Sequence, residues 1–182
     1  MSAQREADQS HLVDWLSTQV EIHVALANTR TWLFTCVEEL VLESGYWGNP
    51  TELPPGHIRG AAGRCFANAS AYATVHRLTY VEGFALSTAG IAYPHAWPVD
   101  DAGNVHDSTW PATRGLAYLG IPFSAAYVEA FNRTLGDARL VHDAHLDDYR
   151  TLRDGLPDGA VLPLGEPINA GAASSSRRGG MF

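Results

Sequence analysis

The chain has 182 residues, of which 46% are hydrophobic and 18% charged, and its formal net charge is −8 at pH 7. This length and apolar content predict a globular chain with one core. The acidic charge argues against nucleic acid as a partner, because phosphate backbones repel it. No apolar run is long enough for a membrane span, and residues 1–10 lack the pattern of a secretion signal, so we expect a cytoplasmic protein without a membrane partner.

Helical periodicity predicts that the chain opens with two helices. Apolar residues at helical spacing mark the first over residues 11–26, with Ser10 as its N-cap. The second is predicted over residues 31–44, followed by Gly45 as a natural C-cap. Together they form a helical N-terminal part at about residues 10–45.

A loop and a third helix follow. Residues 46–63 contain several Pro and Gly turn signals and are predicted to be a loop. A new helical pattern runs from Cys65 to His76, where the alanines favour helix and allow close packing on a sheet. Cys65 is therefore expected where the loop becomes a helix.

Strand patterns dominate the next part of the chain. Strands are predicted over residues 78–86, 90–99 and 105–110, and residues 101–104 carry a hairpin turn signal. The later elements are predicted as an extended piece at 118–123, a helix over 124–135 between Ser124 and Gly136, a strand at 138–142 and a helix at 145–155.

Because helices and strands come in blocks, the sequence predicts an α+β fold with N-terminal helices and a Cys-headed helix packed on an antiparallel sheet. We expect one domain over residues 1–168, with the core that carries the site at about 64–142. The Gly-, Ala- and Ser-rich residues 169–182 are expected to form a flexible tail.

Cys65 is the candidate nucleophile. The first turn of a helix has free N–H groups and partial positive charge, which favour a thiolate and can hold an oxyanion. Cys36, the second of two cysteines, lies among apolar residues and is interpreted as a buried core residue, with a Cys36–Cys65 disulfide as the alternative. Without a CxxC pair, a structural zinc site built on thiolates is not expected. No cofactor is predicted.

His95 and Asp107 are the candidate base and orienting carboxylate. A histidine near neutral pKa is the base that a thiol nucleophile needs. Pairing across the 101–104 turn brings Asp107 within reach of His95, where a carboxylate fixes the imidazole tautomer. His106 faces the other way in a regular strand, so it ranks below His95.

Three further residues are candidates for substrate binding. Trp97 is expected on the same face as His95, where it can pack against the imidazole and exclude water. Glu82 either faces solvent or serves the site, by binding substrate or a nearby loop backbone. Asn68 lies about one helical turn after Cys65 and either points toward the site or caps a neighbouring loop.

The run RCFANASAYA, then YVEGFA, PHAWPVD and NVHDSTW, resembles transglutaminase-like cysteine proteins within the wider papain-like group, especially small bacterial and phage members. The resemblance covers about residues 64–123. It implies Cys65 as nucleophile, His95 as base and Asp107 as orienting residue. Ser108 departs from the pattern, because such members often carry proline there.

The sequence therefore predicts a cysteine-dependent enzyme that hydrolyses or transamidates an amide or peptide bond through a thioester. Its substrate is expected to be a protein or an amide-containing small molecule, with hydrolysis slightly favoured. Two alternatives stay open: a non-catalytic protein-binding or inhibitory module on the same fold, and a metal hydrolase built from His95, His106 and Asp107.

Overall fold

The computed structural model describes residues 2–26, 31–136 and 139–168. Within these ranges the α-helices are α1 (Ala3–Leu26), α2 (Val37–Ser44), α3 (Cys65–His76), α4 (Ala125–Leu135) and α5 (Arg150–Asp154), with a 3₁₀ helix at Ala144–Asp147. The strands are β1 (Tyr46–Pro50), β2 (Thr79–Ser87), β3 (Ala92–Val99), β4 (Asn104–Val105), β5 (Gly115–Phe123) and β6 (Glu166–Pro167). The predicted α+β class is thus confirmed.

The sheet closes into a barrel. Its strand order is β4-β3-β2-β5-β1-β6, and a further pairing between β4 and β1 joins the two sides. The predicted antiparallel pairing is found in every strand pair of the described sheet except β1–β4, which is parallel. Closure gives the sheet an inside and an outside with separate cores.

Successive side chains of each strand point to opposite faces of the sheet, so they alternate between the two cores. The inner core is formed mainly by aromatic and β-branched residues: Val81, Ala85, Trp97, Val99, Val105, Trp110 and Tyr118. The outer core joins the opposite strand face, including Phe84, to apolar residues of α1, α2, α3 and α4, such as Leu16 and Ala73. The cysteine-headed α3 packs chiefly on β3, which is the strand that carries His95.

The helices match the prediction where the sequence marks both their first and their last residues. α3 has the predicted limits, and α4 begins after Ser124, whose hydroxyl accepts from the Tyr127 N–H, and ends at Gly136. α1 instead begins at Ala3, so Ser10 lies inside the helix and is not its cap. The polar residues ahead of Ser10 include good helix formers, which extend the helix beyond its apolar stripe.

α2 begins at Val37, six residues later than predicted, because the chain before it pairs elsewhere. The N–H groups of Leu33 and Phe34 donate to the carbonyls of Arg153 and Leu152 at the far end of the chain. These backbone bonds tie the segment before α2 to α5 rather than into a helix. Gly45 does cap α2, but in an extended conformation rather than a left-handed one.

The main corrections concern strands. Residues 46–50 were predicted to be loop and form β1, while β4 is only two residues long because the chain turns away at Asp107. Residues 139–142 form no strand, and the predicted last helix is divided into a 3₁₀ turn and α5. The predicted tail at 169–182 lies outside the described residues, as does Ala138. None of the helices in the described ranges is long and apolar enough to cross a membrane.

Gly83 in β2 is required where two strands approach closely. A Cβ there would lie 2.2 Å from the Leu119 carbonyl oxygen and 2.4 Å from the Gly120 Cα, both of which are backbone atoms. We predict that Gly83→Ala lowers the free energy of unfolding by about 3 kcal/mol, measured by urea denaturation.

Gly56→Ala is the matched control, because that position has open space and a φ of +85°. Its cost is expected to be only the left-handed backbone penalty of about 1 kcal/mol. Equal losses in the two variants would contradict the close-packing account.

Candidate active site

Cys65 lies half-buried at the first position of α3, between the loop and the barrel. The backbone N–H groups of Ala96 and Phe66 and the His95 ring favour the thiolate form of this residue. Burial works against ionisation of the thiol, but the hydrogen bond and positive charge of His95 outweigh it, so the pKa of Cys65 falls below its ordinary value.

His95 lies on β3 and is only 1% exposed. Its Nε2 is 2.8 Å from Oδ2 of Asp107, which leaves Nδ1 as the ring nitrogen for Cys65. Burial alone would lower the pKa of His95, but the hydrogen bonds and charges of Asp107 and Cys65 raise it to about 9. The imidazole is therefore protonated at neutral pH.

Asp107 follows β4 in a buried turn and is held by four hydrogen bonds. Its Oδ1 accepts from the N–H groups of Thr109 and Trp110, both at 2.8 Å, while Oδ2 accepts from His95 and, at 2.9 Å, from the Tyr118 hydroxyl. Burial would raise the pKa of Asp107, but the His95 hydrogen bond and charge, together with these N–H donors, lower it. The carboxylate therefore stays ionised and cannot rotate away.

The structure thus joins the three predicted catalytic residues in one chain of contacts, from sulfur to imidazole to carboxylate. The lowered pKa of Cys65 and the raised pKa of His95 both favour a thiolate–imidazolium pair over the neutral thiol and imidazole. The pair is lost at high pH, when His95 releases its proton, and at low pH, when the sulfur regains one.

Two tryptophans surround the imidazole. Trp110 stacks on it with ring centroids 4.3 Å apart, and Trp97 lies 6.1 Å away in the inner core. Trp97 is 1% exposed, and its Nε1 has no hydrogen-bond partner among the residues that the structure describes. Trp97 is therefore placed to pack behind His95, whereas sequence reasoning did not single out Trp110, although it ends the quoted NVHDSTW run.

Asn68 ties the nucleophile helix to the turn that carries Asp107. Its Nδ2 donates to the Ala61 carbonyl and to the Thr109 hydroxyl, each at 2.9 Å. The Gly60 N–H also donates to the Ser108 carbonyl, at 2.8 Å. Of the two predicted alternatives for Asn68, the geometry matches the one in which the amide holds a neighbouring loop.

Glu82 is fully buried on β2, which excludes the solvent-facing alternative. Its carboxylate accepts from the Tyr80 hydroxyl at 2.8 Å and from the N–H groups of Leu140 and Val141 at 2.7 and 3.1 Å. Burial raises the pKa of Glu82 to about 7, against the lowering effect of these donors. Glu82 therefore fixes the backbone of the segment after α4.

The structure does not bring together the three residues of the metal-hydrolase alternative. The His106 ring is 3.4 Å from Asp100, so it does not join His95 and Asp107 as the metal-hydrolase alternative requires. His23, Cys36 and Glu38 do bring their ligand atoms within 4.8 Å of one another. Burial raises the pKa of Cys36 to about 11, which disfavours the thiolate that a metal needs.

Comparison of this chain with protein-family models, curated proteins and solved structures finds no match. The transglutaminase-like resemblance therefore rests on the quoted motifs alone.

The electrostatics predict selective alkylation. Iodoacetamide at pH 7 is expected to label Cys65 and spare Cys36, because the first thiol has a lowered pKa and the second a raised one. In His95→Gln the rate at Cys65 is expected to fall at least about tenfold, since the hydrogen bond and charge of His95 no longer offset the effect of burial on the pKa. Peptide mass spectrometry over a pH series measures both rates.

Cys36→Ala is the control, because it removes the other thiol and leaves the Cys65 profile unchanged. Equal labelling of both cysteines in the folded wild type would contradict the assigned electrostatics.

Proposed function

We propose that this chain is a transglutaminase-like cysteine enzyme that transfers an acyl group through a thioester on Cys65. The observation that carries the proposal is the continuous contact from the Cys65 sulfur through His95 to the buried Asp107. A hydrophobic core does not need a buried cysteine, histidine and aspartate in contact for its stability. A nucleophile, its base and the residue that orients the base do need this arrangement. Water is the favoured acceptor.

The first half of the proposed reaction is the acylation of Cys65. The Cys65 thiolate attacks the carbonyl carbon of an amide, and the carbonyl oxygen gains the negative charge. The Cys65 N–H, in the first turn of α3, has no intrahelical acceptor and can donate to this oxyanion. His95 then gives its Nδ1 proton to the leaving nitrogen as the C–N bond breaks, and a thioester remains.

The second half regenerates the enzyme. Neutral His95 removes a proton from water, and the resulting hydroxide adds to the thioester carbonyl. Collapse of this intermediate breaks the C–S bond, which releases a carboxylic acid and restores the thiolate. Asp107 stabilises the imidazolium form of His95, and its hydrogen bond with Nε2 leaves Nδ1 for the sulfur.

The substrate is proposed to be an amide group of a protein or small molecule, and the setting a reducing cytoplasm. Both cysteines are free thiols in the structure, as the proposed chemistry of Cys65 requires. The transglutaminase-like fold remains part of the proposal and is supported by the quoted motifs.

Cys65 is expected to form an acyl-enzyme with an activated ester. p-Nitrophenyl acetate should give a burst of about one nitrophenolate per chain, with an acetyl group on Cys65 in the intact-mass and peptide spectra. Cys65→Ala should abolish the burst, and Cys36→Ala should retain it. A wild-type chain without burst or adduct would instead favour the protein-binding alternative.

Asp107→Asn is expected to lower the rate of acyl transfer by about 10²- to 10⁴-fold while the chain stays folded. An amide removes the negative charge that raises the pKa of His95 from 6.5, so the high-pH limb of the rate profile should move below pH 9. Stopped-flow burst rates across pH measure both effects.

Asp100→Asn is the matched control, since Asp100 also accepts backbone N–H bonds in a turn but contacts His106 rather than His95. A profile that moves equally in both variants would argue against a specific role for Asp107.

A further inference from the structure

Tyr118 connects the far side of the barrel to the candidate active site. It lies on β5, whose neighbours in the sheet are β2 and β1, whereas Asp107 follows β4. The Tyr118 side chain is 1% exposed, belongs to the inner core, and donates its hydroxyl to Oδ2 of Asp107 at 2.9 Å. The phenol therefore crosses the inside of the barrel to reach the buried carboxylate.

The phenol is confined so that its hydroxyl is aimed at this oxygen. Its ring meets Trp97 edge-on, with centroids 5.1 Å apart. Its polar end lies against Gly115, where an added Cβ would be 1.9 Å from the Tyr118 oxygen. Burial and the negative charge of Asp107 raise the pKa of Tyr118, so the hydroxyl keeps its proton and stays a donor to the carboxylate.

Tyr118 and His95 share one oxygen of Asp107. His95 Nε2 is 2.8 Å from Oδ2, the same atom that accepts from the Tyr118 hydroxyl, while Oδ1 accepts only backbone N–H groups. When His95 loses its proton, Asp107 is left as a buried anion without a cation beside it. The Tyr118 hydroxyl stabilises that anion, and so it lowers the free-energy cost of deprotonating His95.

We propose that Tyr118 is a positioning residue that acts through Asp107 and eases the release of the proton from His95. This role rests on the proposed function, because in acyl transfer the proton passes from Nδ1 of His95 to the leaving nitrogen. An imidazolium that is held too tightly by a buried carboxylate is a poor acid. A second donor on the carboxylate weakens this hold and keeps the charge that orients the ring. Tyr118 itself gives up no proton.

Other charged or titratable groups face the His95–Asp107–Tyr118 cluster from several elements. They are Cys65 at the start of α3, His142 after α4, Arg59 in the loop before α3, and Arg114 before β5. Burial lowers the pKa of His142 to about 4, so this ring is neutral where His95 titrates. Substitution of Tyr118 removes none of these groups, so a change in the titration of His95 measures the effect of the hydroxyl.

Tyr118→Phe tests the proposal, because it keeps the ring and removes the hydroxyl. The His95 imidazole is titrated by NMR in the full chain with isotope-labelled histidine, and His95→Gln identifies its signal. The pKa of His95 is expected to rise further above its ordinary value, by about half to one pH unit, the shift that corresponds to one hydrogen bond. The high-pH limb of the burst-rate profile should move up with it, opposite to the shift in Asp107→Asn.

Gly115→Ala provides a second variant. Its Cβ would displace the end of the Tyr118 ring from Oδ2 without removing the hydroxyl, so the pKa of His95 is expected to rise here as well. Tyr80→Phe is the matched control, since it also removes a phenol hydroxyl from a buried carboxylate, at 2.8 Å. That carboxylate, Glu82, binds the backbone after α4, so the titration of His95 should stay as in the wild type.

The outcomes separate the role of Tyr118 from the proposed function. A pKa of His95 that stays the same or falls in a folded Tyr118→Phe or Gly115→Ala chain would overturn the role of Tyr118, even if the wild-type burst on Cys65 persists. A wild type without a burst would instead overturn the proposed function, while the NMR titration would still measure the effect of the hydroxyl. An equal rise in Tyr80→Phe would assign the effect to any lost buried hydroxyl, which also overturns the role.

Discussion

The buried contact between His95 and Asp107 is the constraint on which the rest of the site depends. Two charged groups removed from water are costly unless their remaining hydrogen-bond capacity is also used. Here the barrel supplies a tyrosine hydroxyl and two backbone N–H groups to Asp107, and a stacked Trp110 to the imidazole. The pair is thus stabilised as ions, and the second ring nitrogen is left for the sulfur.

Two buried carboxylates in this protein differ because their partners differ. Asp107 faces a cation as well as hydrogen-bond donors, and its pKa is lowered. Glu82 has only neutral donors around it, and burial raises its pKa to about 7. The first therefore supplies charge to the candidate site, while the second fixes the backbone of the segment after α4. The same chemical group, a carboxylate, thus provides negative charge in Asp107 and accepts backbone hydrogen bonds in Glu82.

Sequence patterns were sufficient where an element carries its own signals. α3 and α4 have helix-forming interiors and clear ends, and β2 is rich in aromatic and aliphatic residues, so local patterns located them well. β1 was not predicted because Gly48 and Pro50 are residue types that are typical of loops. Gly48 is needed there because a Cβ would lie 2.4 Å from a methyl group of Val105 on the neighbouring strand β4. That requirement exists only once the barrel is closed.

The sequence by itself determined the order of a cysteine at a helix start, a histidine in a strand and an aspartate after a turn, because spacing and residue type are local properties. Only the tertiary structure decided that His106 pairs with Asp100, that Asn68 spans two loops, and that Glu82 is buried. The contacts of Asn68 and Glu82 join groups 41 and 58 residues apart, which only closure and packing of the barrel bring within hydrogen-bond distance. The His106–Asp100 contact is local, but it depends on how the chain folds through the turn between β3 and β4.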